Sequence, residues 1–102
     1  MTRHRVAGVG DIAPGELKRV EIGAVALCLA HVDDGSFCAV ADECTHEQVE
    51  LSGGYLDGDE VECPMHGARF DVFTGEVCGL PANEPVQAYA VEVVGDDVMV
   101  EL

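Results

Sequence analysis

The hydrophobic residues of this chain lie in many short runs, and turn-forming Gly, Pro, Asp and Ser residues separate each run from the next. No stretch of ten or more residues has the three-to-four-residue periodicity and end caps of a helix. The clearest pattern is a pair of Val-rich runs flanking Gly95-Asp96-Asp97, which predicts a β-hairpin. We predict strands at residues 6–9, 17–22, 24–32, 37–41, 60–63, 68–73, 86–94 and 98–102, and a helical turn at residues 47–51. So many short strands are typical of an all-β sandwich or small barrel.

The length fits one small domain, residues 1–102, with a thin core that a bound metal centre would help to stabilise. Hydrophobic residues make up 48% of the chain, which argues against disorder despite its high charge. The longest apolar run, residues 24–30, is far shorter than the roughly 20 residues that cross a membrane. The N-terminus lacks the apolar segment of a secretory signal. We therefore expect a cytoplasmic protein without a membrane span, whose five cysteines form no disulfide framework.

The charge of the chain is strongly unbalanced, with 20 acidic residues, 5 Lys and Arg residues and a formal net charge of −15. Between Ala41 and Glu62 there are eight acidic residues and no basic one. Such a field repels nucleic acid phosphates and anionic lipid, and it would attract a basic protein partner. The simpler interpretation is a surface that keeps the protein soluble. Arg69, the only base after residue 20, is expected to form a local ion pair or to contact a partner.

Two short clusters of metal-binding residues fall where the strand pattern breaks. Cys44 and His46 follow one predicted strand. Cys63 and His66 follow another, and sixteen residues separate the two clusters. Three interpretations are open: ordinary core or surface residues, a structural zinc site, or a [2Fe-2S] cluster with two Cys on one iron and two His on the other. In common zinc sites, two Cys lie close together in the sequence and are followed by two His. Each cluster here instead mixes one Cys with one His, and this favours the iron-sulfur interpretation.

The two clusters, "CTH" and "CPMHG", closely resemble the signature of Rieske proteins. Residues 54–77 are similar to the cluster-binding region of Rieske-type ferredoxins, and residues 79–93 to their proline-bearing loop and the strand after it. The resemblance covers nearly the whole chain. It implies the Rieske iron-sulfur fold, which has three small antiparallel sheets and a cluster-binding subdomain, here about residues 42–81, at one tip. It also implies one [2Fe-2S] cluster held by four side chains: Cys44 and Cys63 on the inner iron, His46 and His66 on the outer iron.

Positions beside these ligands distinguish the chain from the Rieske proteins of respiratory complexes. By resemblance, the respiratory type has a disulfide at the positions of Val49 and Met65, and hydroxyl donors at those of Ala68 and Phe70. Donors to the cluster sulfurs raise the reduction potential, so we expect a value at the low end of the roughly −150 to +300 mV Rieske range. The resemblance also implies that Met65 shields the cluster from water and that Pro81 covers its other side.

Among Rieske proteins, the chain resembles the ferredoxin component of bacterial multicomponent aromatic-ring-hydroxylating dioxygenases of the biphenyl, naphthalene or carbazole type. This implies an electron-transfer component in aromatic hydrocarbon catabolism, and not an enzyme in its own right. As a monomer, it would take one electron from an FAD-containing, NADH-dependent ferredoxin reductase and pass it to a terminal oxygenase. Two alternatives stay open: the small subunit of an assimilatory nitrite reductase, and a zinc-stabilised β domain that only binds a partner.

The remaining cysteines and histidines belong to no motif. Cys28 and Cys38 lie in apolar runs, and we expect them to be buried as small hydrophobic residues. Cys78 is near the proline-bearing loop and is assigned no role. His4 and His31 are not expected to be ligands.

Overall fold

The computed structural model of the protein describes residues 2–45, 49–65, 67–80 and 84–102. Within these residues the chain forms eleven short β-strands and one turn of 3-10 helix, so the predicted all-β class is confirmed. The strands are β1 (Arg3–Gly8), β2 (Leu17–Ile22), β3 (Val25–His31), β4 (Phe37–Ala41), β5 (Tyr55–Asp57), β6 (Glu60–Glu62), β7 (Arg69–Asp71), β8 (Val77–Gly79), β9 (Ala88–Tyr89), β10 (Val91–Val94) and β11 (Asp97–Glu101).

The strands pair into three antiparallel sheets, as the resemblance implied. The terminal sheet has the order β1-β11-β10, the central sheet β2-β3-β4-β9, and the distal sheet β5-β6-β7-β8. The predicted hairpin around Gly95-Asp96-Asp97 is confirmed, because β10 pairs with β11. Strands β3 and β4, which are also consecutive in the chain, pair in the same antiparallel way. The pairing of β1 with β11 joins the two ends of the chain, and the pairing of β4 with β9 returns the chain to the central sheet.

Strands β3 and β4 of the central sheet are buried on both faces. Leu27 and Leu29 of β3 belong to the core shared with the terminal sheet. Cys28 and Ala30 of the same strand belong to the core shared with the distal sheet. Successive side chains of a strand point to opposite faces, so a strand covered on both sides needs an unbroken apolar run. This explains why the apolar run at residues 24–30 does not alternate with polar residues.

The predicted strands at residues 17–22 and 37–41 match β2 and β4 residue for residue. The three-residue strands β5 and β8 were missed, because they are too short to show an alternating pattern and are defined by pairing with β6 and β7. The predicted strand at residues 86–94 is in fact two strands. Its first part, β9, pairs with β4, and its second part, β10, pairs with β11, so the chain changes sheets at Ala90.

The predicted helical turn at residues 47–51 was wrong in its position. The 3-10 turn spans Leu51–Gly53, and the residue before it, Glu50, is extended and bridges to Glu43. Residues 47 and 48 lie outside the described part of the chain. A pairing between distant residues therefore determines the conformation at Glu50.

Among the residues that the structure describes, no helix is long and apolar enough to cross a bilayer.

Candidate metal centre

The first cysteine loop (residues 44–49) leaves the central sheet just after β4. A bridge joins Glu43 to Glu50, and the Cys44 N–H donates to the Val49 carbonyl at 3.0 Å. These contacts pair the two ends of the loop, with Cys44 at its base and only 2% exposed. His46 lies outside the described residues. The structure thus places one predicted ligand inside the molecule, at the start of a tight loop.

The second cysteine loop (residues 63–68) joins β6 to β7. The Cys63 N–H donates to the Ala68 carbonyl at 2.7 Å, and the Gly67 N–H donates to the Cys63 carbonyl at 3.2 Å. Gly67 has a φ of +77°, a conformation in which a side chain would be strained. Cys63 is 1% exposed, and His66 lies outside the described residues. The second loop therefore repeats the arrangement of the first, with a buried cysteine at the base of a hairpin.

Gly54 lets the strand that leads to Cys63 pack closely against the end of the 3-10 turn. A Cβ on Gly54 would lie 1.9 Å from the Glu62 carbonyl oxygen and 3.1 Å from Cδ of Pro64. Only glycine permits so close an approach of two backbones. The neighbouring Gly53 has no heavy atom within 4 Å of the same position. The contact at Gly54 thus holds the base of the second loop against the segment that follows the first.

Cys44 and Cys63 belong to the same buried core. Iron-sulfur clusters are held by cysteine thiolates, and two such residues from separate loops in one buried core fit the inner half of a [2Fe-2S] site. The structure thus places the two predicted cysteine ligands in one core. The two predicted histidine ligands, His46 and His66, lie outside the residues it describes. Within the described ranges, no group of three or more His, Cys, Asp or Glu side chains gathers as a metal site.

Ala68 and Phe70 are both fully buried in the core that contains the two cysteines. These are the positions where respiratory Rieske proteins are expected to carry hydroxyl donors. Neither side chain has a donor, so neither can form a hydrogen bond to a sulfur in this core. The surroundings of the cysteine sulfurs are correspondingly apolar on this side.

Asp42, one of the acidic residues between Ala41 and Glu62, is the one buried charged residue in the part of the chain that the structure describes. It belongs to no motif in the sequence. Its carboxylate accepts hydrogen bonds from Arg19 Nη1 at 2.7 Å, from the Ser52 N–H at 2.7 Å and from the Ser52 hydroxyl at 2.8 Å. Asp42 precedes Cys44 by two residues. No local pattern signals its burial, because its partners come from β2 and the 3-10 turn.

Arg69 forms the local ion pair that the sequence predicted. Its Nη2 lies 2.6 Å from Asp57 Oδ2, and its Nε lies 3.0 Å from Glu60 Oε1. The sheet register also places Arg69 opposite Glu62, whose Oε1 lies 3.8 Å from Nη1. One base therefore offsets part of the negative charge of three acids on the distal sheet.

A side-chain contact joins the first cysteine loop to the proline-bearing loop (residues 80–86), in which Pro81 lies outside the described residues. The Thr45 hydroxyl donates to the Glu84 carbonyl at 2.7 Å. Near these loops, the side chains of Met65 and Leu80 are 59% and 83% exposed. Large apolar residues are therefore open to solvent in the second cysteine loop and at the start of the proline-bearing loop.

The other three cysteines differ in burial. Cys28 and Cys38 are buried in the core, as predicted, and burial raises the pKa of the Cys38 thiol to about 12. Burial also raises the pKa of Cys28, which is fully enclosed. Cys78 is exposed on β8, where its Sγ lies 3.6 Å from the Glu76 carbonyl oxygen.

The His31 ring stacks on Phe37 with centroids 4.0 Å apart, on the strands β3 and β4.

Comparisons with known proteins agree with this geometry. The family model of the Rieske [2Fe-2S] domain matches residues 2–90. The biphenyl 2,3-dioxygenase ferredoxin component of Rhodococcus jostii is 42% identical over 102 residues, covering 100% of this chain and 94% of that protein.

Solved structures agree as well. The ferredoxin of carbazole 1,9a-dioxygenase from Nocardioides aromaticivorans is 33% identical, with a TM-score of 0.92 over 98% of this chain and 97% of that chain. A chain in the complex of reduced oxygenase and oxidized ferredoxin in carbazole 1,9a-dioxygenase is 40% identical, with a TM-score of 0.90 over 96% of this chain and 100% of that chain. From the family match, these similarities and the two buried cysteines, we conclude that the chain belongs to the Rieske [2Fe-2S] domain family.

Proposed function

We propose that this protein is a low-potential, one-electron carrier that serves as the ferredoxin component of an aromatic-ring-hydroxylating dioxygenase system. The observation that carries the proposal is the burial of Cys44 and Cys63 at the bases of two hairpin loops in one core. Relatives named as ferredoxin components, matched over almost their whole length, support this role. They do not favour a nitrite reductase subunit or a zinc-stabilised domain. The protein transforms no substrate itself.

We assign one [2Fe-2S] cluster to four ligands: Cys44 and Cys63 on one iron, His46 and His66 on the other. When bound, the cluster supplies one-electron redox chemistry by outer-sphere transfer. The chain contributes the surroundings. The narrow hairpins fix the two cysteines, and the apolar core around them excludes water from the sulfur side.

The low potential follows from the side chains around the sulfurs. Ala68 and Phe70 are buried and offer no donor, so the more negative reduced state gains no hydrogen bond from them. The net charge of −15 acts in the same direction, because it opposes the addition of an electron. Both effects favour the oxidised state.

We assign two partners: an FAD-containing, NADH-dependent ferredoxin reductase as electron donor, and a terminal oxygenase as acceptor. The oxygenase assignment is supported by a relative seen in a complex of reduced oxygenase and oxidized ferredoxin. Met65 and Leu80 expose apolar surface near the cysteine loops, and such surface suits a contact between proteins. The acidic residues would steer a basic partner surface toward the molecule.

The proposed molecule is a single domain, residues 1–102, with a cluster-binding subdomain at about residues 42–81. It acts as a monomer in the cytoplasm. Size-exclusion chromatography of the purified protein with light scattering tests the monomer directly, and fractionation of the producing cells tests the compartment.

The decisive experiment is spectroscopy on the purified protein. We expect iron and sulfide at two each per chain, visible absorption, and an EPR signal in the reduced sample. Cys44→Ser should lose all three, whereas the matched variant Cys78→Ser should keep them, because Cys78 is exposed on β8 and is no ligand. A colourless protein that contains zinc, or a reduced sample without an EPR signal, would falsify the proposal. With loading shown, electron transfer from candidate reductases to candidate oxygenases tests the partners.

A further inference from the structure

Arg19 and the buried Asp42 form an ion pair next to the first cysteine loop. The proposed function assigns this pair no role. Arg19 Nη1 donates to Asp42 Oδ2 at 2.7 Å, and the Asp42 side chain is 0% exposed. Ser52 fixes the same carboxylate with two further hydrogen bonds, one to each oxygen. Hydrogen bonds to an ionised group are roughly twice as strong as neutral ones. The carboxylate is therefore held in one position from two sides.

This ion pair reaches both ends of the first cysteine loop. On the incoming side, the Asp42 N–H donates to the Ala26 carbonyl at 3.1 Å, and its carbonyl accepts from the Leu51 N–H at 2.8 Å. On the outgoing side, Arg19 Nη1 lies 3.7 Å from Glu50 Oε2. The loop between these points begins with the proposed ligand Cys44. One guanidinium thus lies against both strands from which the loop emerges.

The charges of the pair are unequally accessible to water. Arg19 lines an open cleft of about 420 Å³, and its side chain is 35% exposed, whereas the Asp42 side chain is fully enclosed. Water therefore screens the guanidinium better than it screens the carboxylate. Among the described residues, Arg19 is the cation paired with Asp42. Without it, a buried negative charge near Cys44 would oppose the addition of an electron.

We infer that Arg19 is a positioning residue of the cluster, which anchors both ends of the first cysteine loop and raises the reduction potential by compensating Asp42. The inference rests on the proposed function, since it concerns a cluster held by Cys44.

The test is a double-mutant cycle that neutralises each charge of the pair in the cluster-loaded protein, with midpoint potential and EPR g-values as readouts. Arg19→Gln should lower the equilibrium constant for reduction about three- to tenfold, which is about 30 to 60 mV for a one-electron couple. Asp42→Asn should raise this equilibrium constant, and the double variant should have a midpoint potential close to that of wild type. Arg5→Gln is the matched control, because it removes the same charge from an exposed ion pair with Asp97 on the terminal sheet.

Two further variants keep the test decisive if Arg19→Gln fails to load the cluster. Arg19→Lys keeps the charge but loses the planar guanidinium with its several N–H donors. Its potential should therefore stay near that of wild type, while the cluster is lost faster. Ser52→Ala removes one hydrogen bond and no charge, and should likewise leave the potential nearly unchanged. The inference is overturned if Arg19→Gln shifts the potential no more than Arg5→Gln, or if Arg19→Lys, which keeps the charge, lowers the potential by about 30 mV or more. A wild-type protein that carries no cluster would instead refute the proposed function.

Discussion

The Thr45 hydroxyl donates a hydrogen bond to the Glu84 carbonyl across 39 residues of sequence, at a distance of 2.7 Å. This contact ties the first cysteine loop to the proline-bearing loop. It joins described residues of two loops that are far apart in the sequence, and so helps to hold these loops in place relative to each other.

We expect Thr45→Val to loosen the proline-bearing loop with little change in side-chain shape. Loss of one hydrogen bond costs about 0.5–1.5 kcal/mol, so hydrogen exchange at the amides of Glu84 and Val86 and cluster loss to a chelator should both accelerate. Thr74→Val is the control, because its hydroxyl oxygen accepts only from Glu76 N–H within the turn after β7. Equal rates of cluster loss in the two variants would show that the Thr45 contact does not hold the site.

Gly54→Ala should destabilise the protein, since its Cβ would lie 1.9 Å from the Glu62 carbonyl oxygen and the backbone would have to move. Overpacking of this kind costs about 1–3 kcal/mol. Urea unfolding with visible absorption as a second probe measures both stability and cluster retention. Gly53→Ala is the adjacent control and should change stability by less than about 1 kcal/mol, because nothing lies within 4 Å of its Cβ. If both substitutions behave alike, the close approach at Gly54 is not what holds the second loop.

Adding hydroxyl groups to the apolar side of the core should raise the midpoint potential. In Phe70→Tyr and Ala68→Ser, a new donor that favours the reduced state by about 1.4 kcal/mol would raise the potential by about 60 mV. Protein-film voltammetry measures the shift. Phe37→Tyr adds the same phenol against the other core and should leave the potential unchanged. No rise in either variant would defeat the explanation of the low potential.

The buried Cys38 thiol should make stability fall at alkaline pH. Its folded pKa is raised to about 12 from 9.0, so the unfolded chain loses the proton first as pH rises. Its contribution to stability is full below about pH 9 and is lost as pH rises towards 12. Between these values, the free energy of unfolding should fall less steeply with pH in Cys38→Ala than in wild type. The difference in slope is up to about 1.4 kcal/mol per pH unit. Urea unfolding from pH 8 to pH 11 tests this, with Cys78→Ala, an exposed position, expected to follow wild type closely. Parallel slopes for Cys38→Ala and wild type would contradict it.

Much of the fold could be predicted because its signals are local. Turn residues and the pattern of hydrophobic positions between them located β2 and β4 residue for residue. The predictions were less accurate where pairing between distant strands decides the structure, as in the short strand β5 and in the division of residues 86–94 between two sheets. Of the candidate site, the sequence identified Cys44 and Cys63 from their spacing, and the structure buries both in one core.

The sequence by itself determined the order of the turns, the chemistry of the proposed ligands and the lack of hydroxyl groups at positions 68 and 70. These features depend on residue identity and on neighbours within a few positions. Only the tertiary structure decided that Asp42 is buried against Arg19, that Gly54 must lack a side chain, and that the two cysteine loops share one core. Burial and close approach depend on which distant segments pack together, and in this chain those segments are joined only when the three sheets assemble.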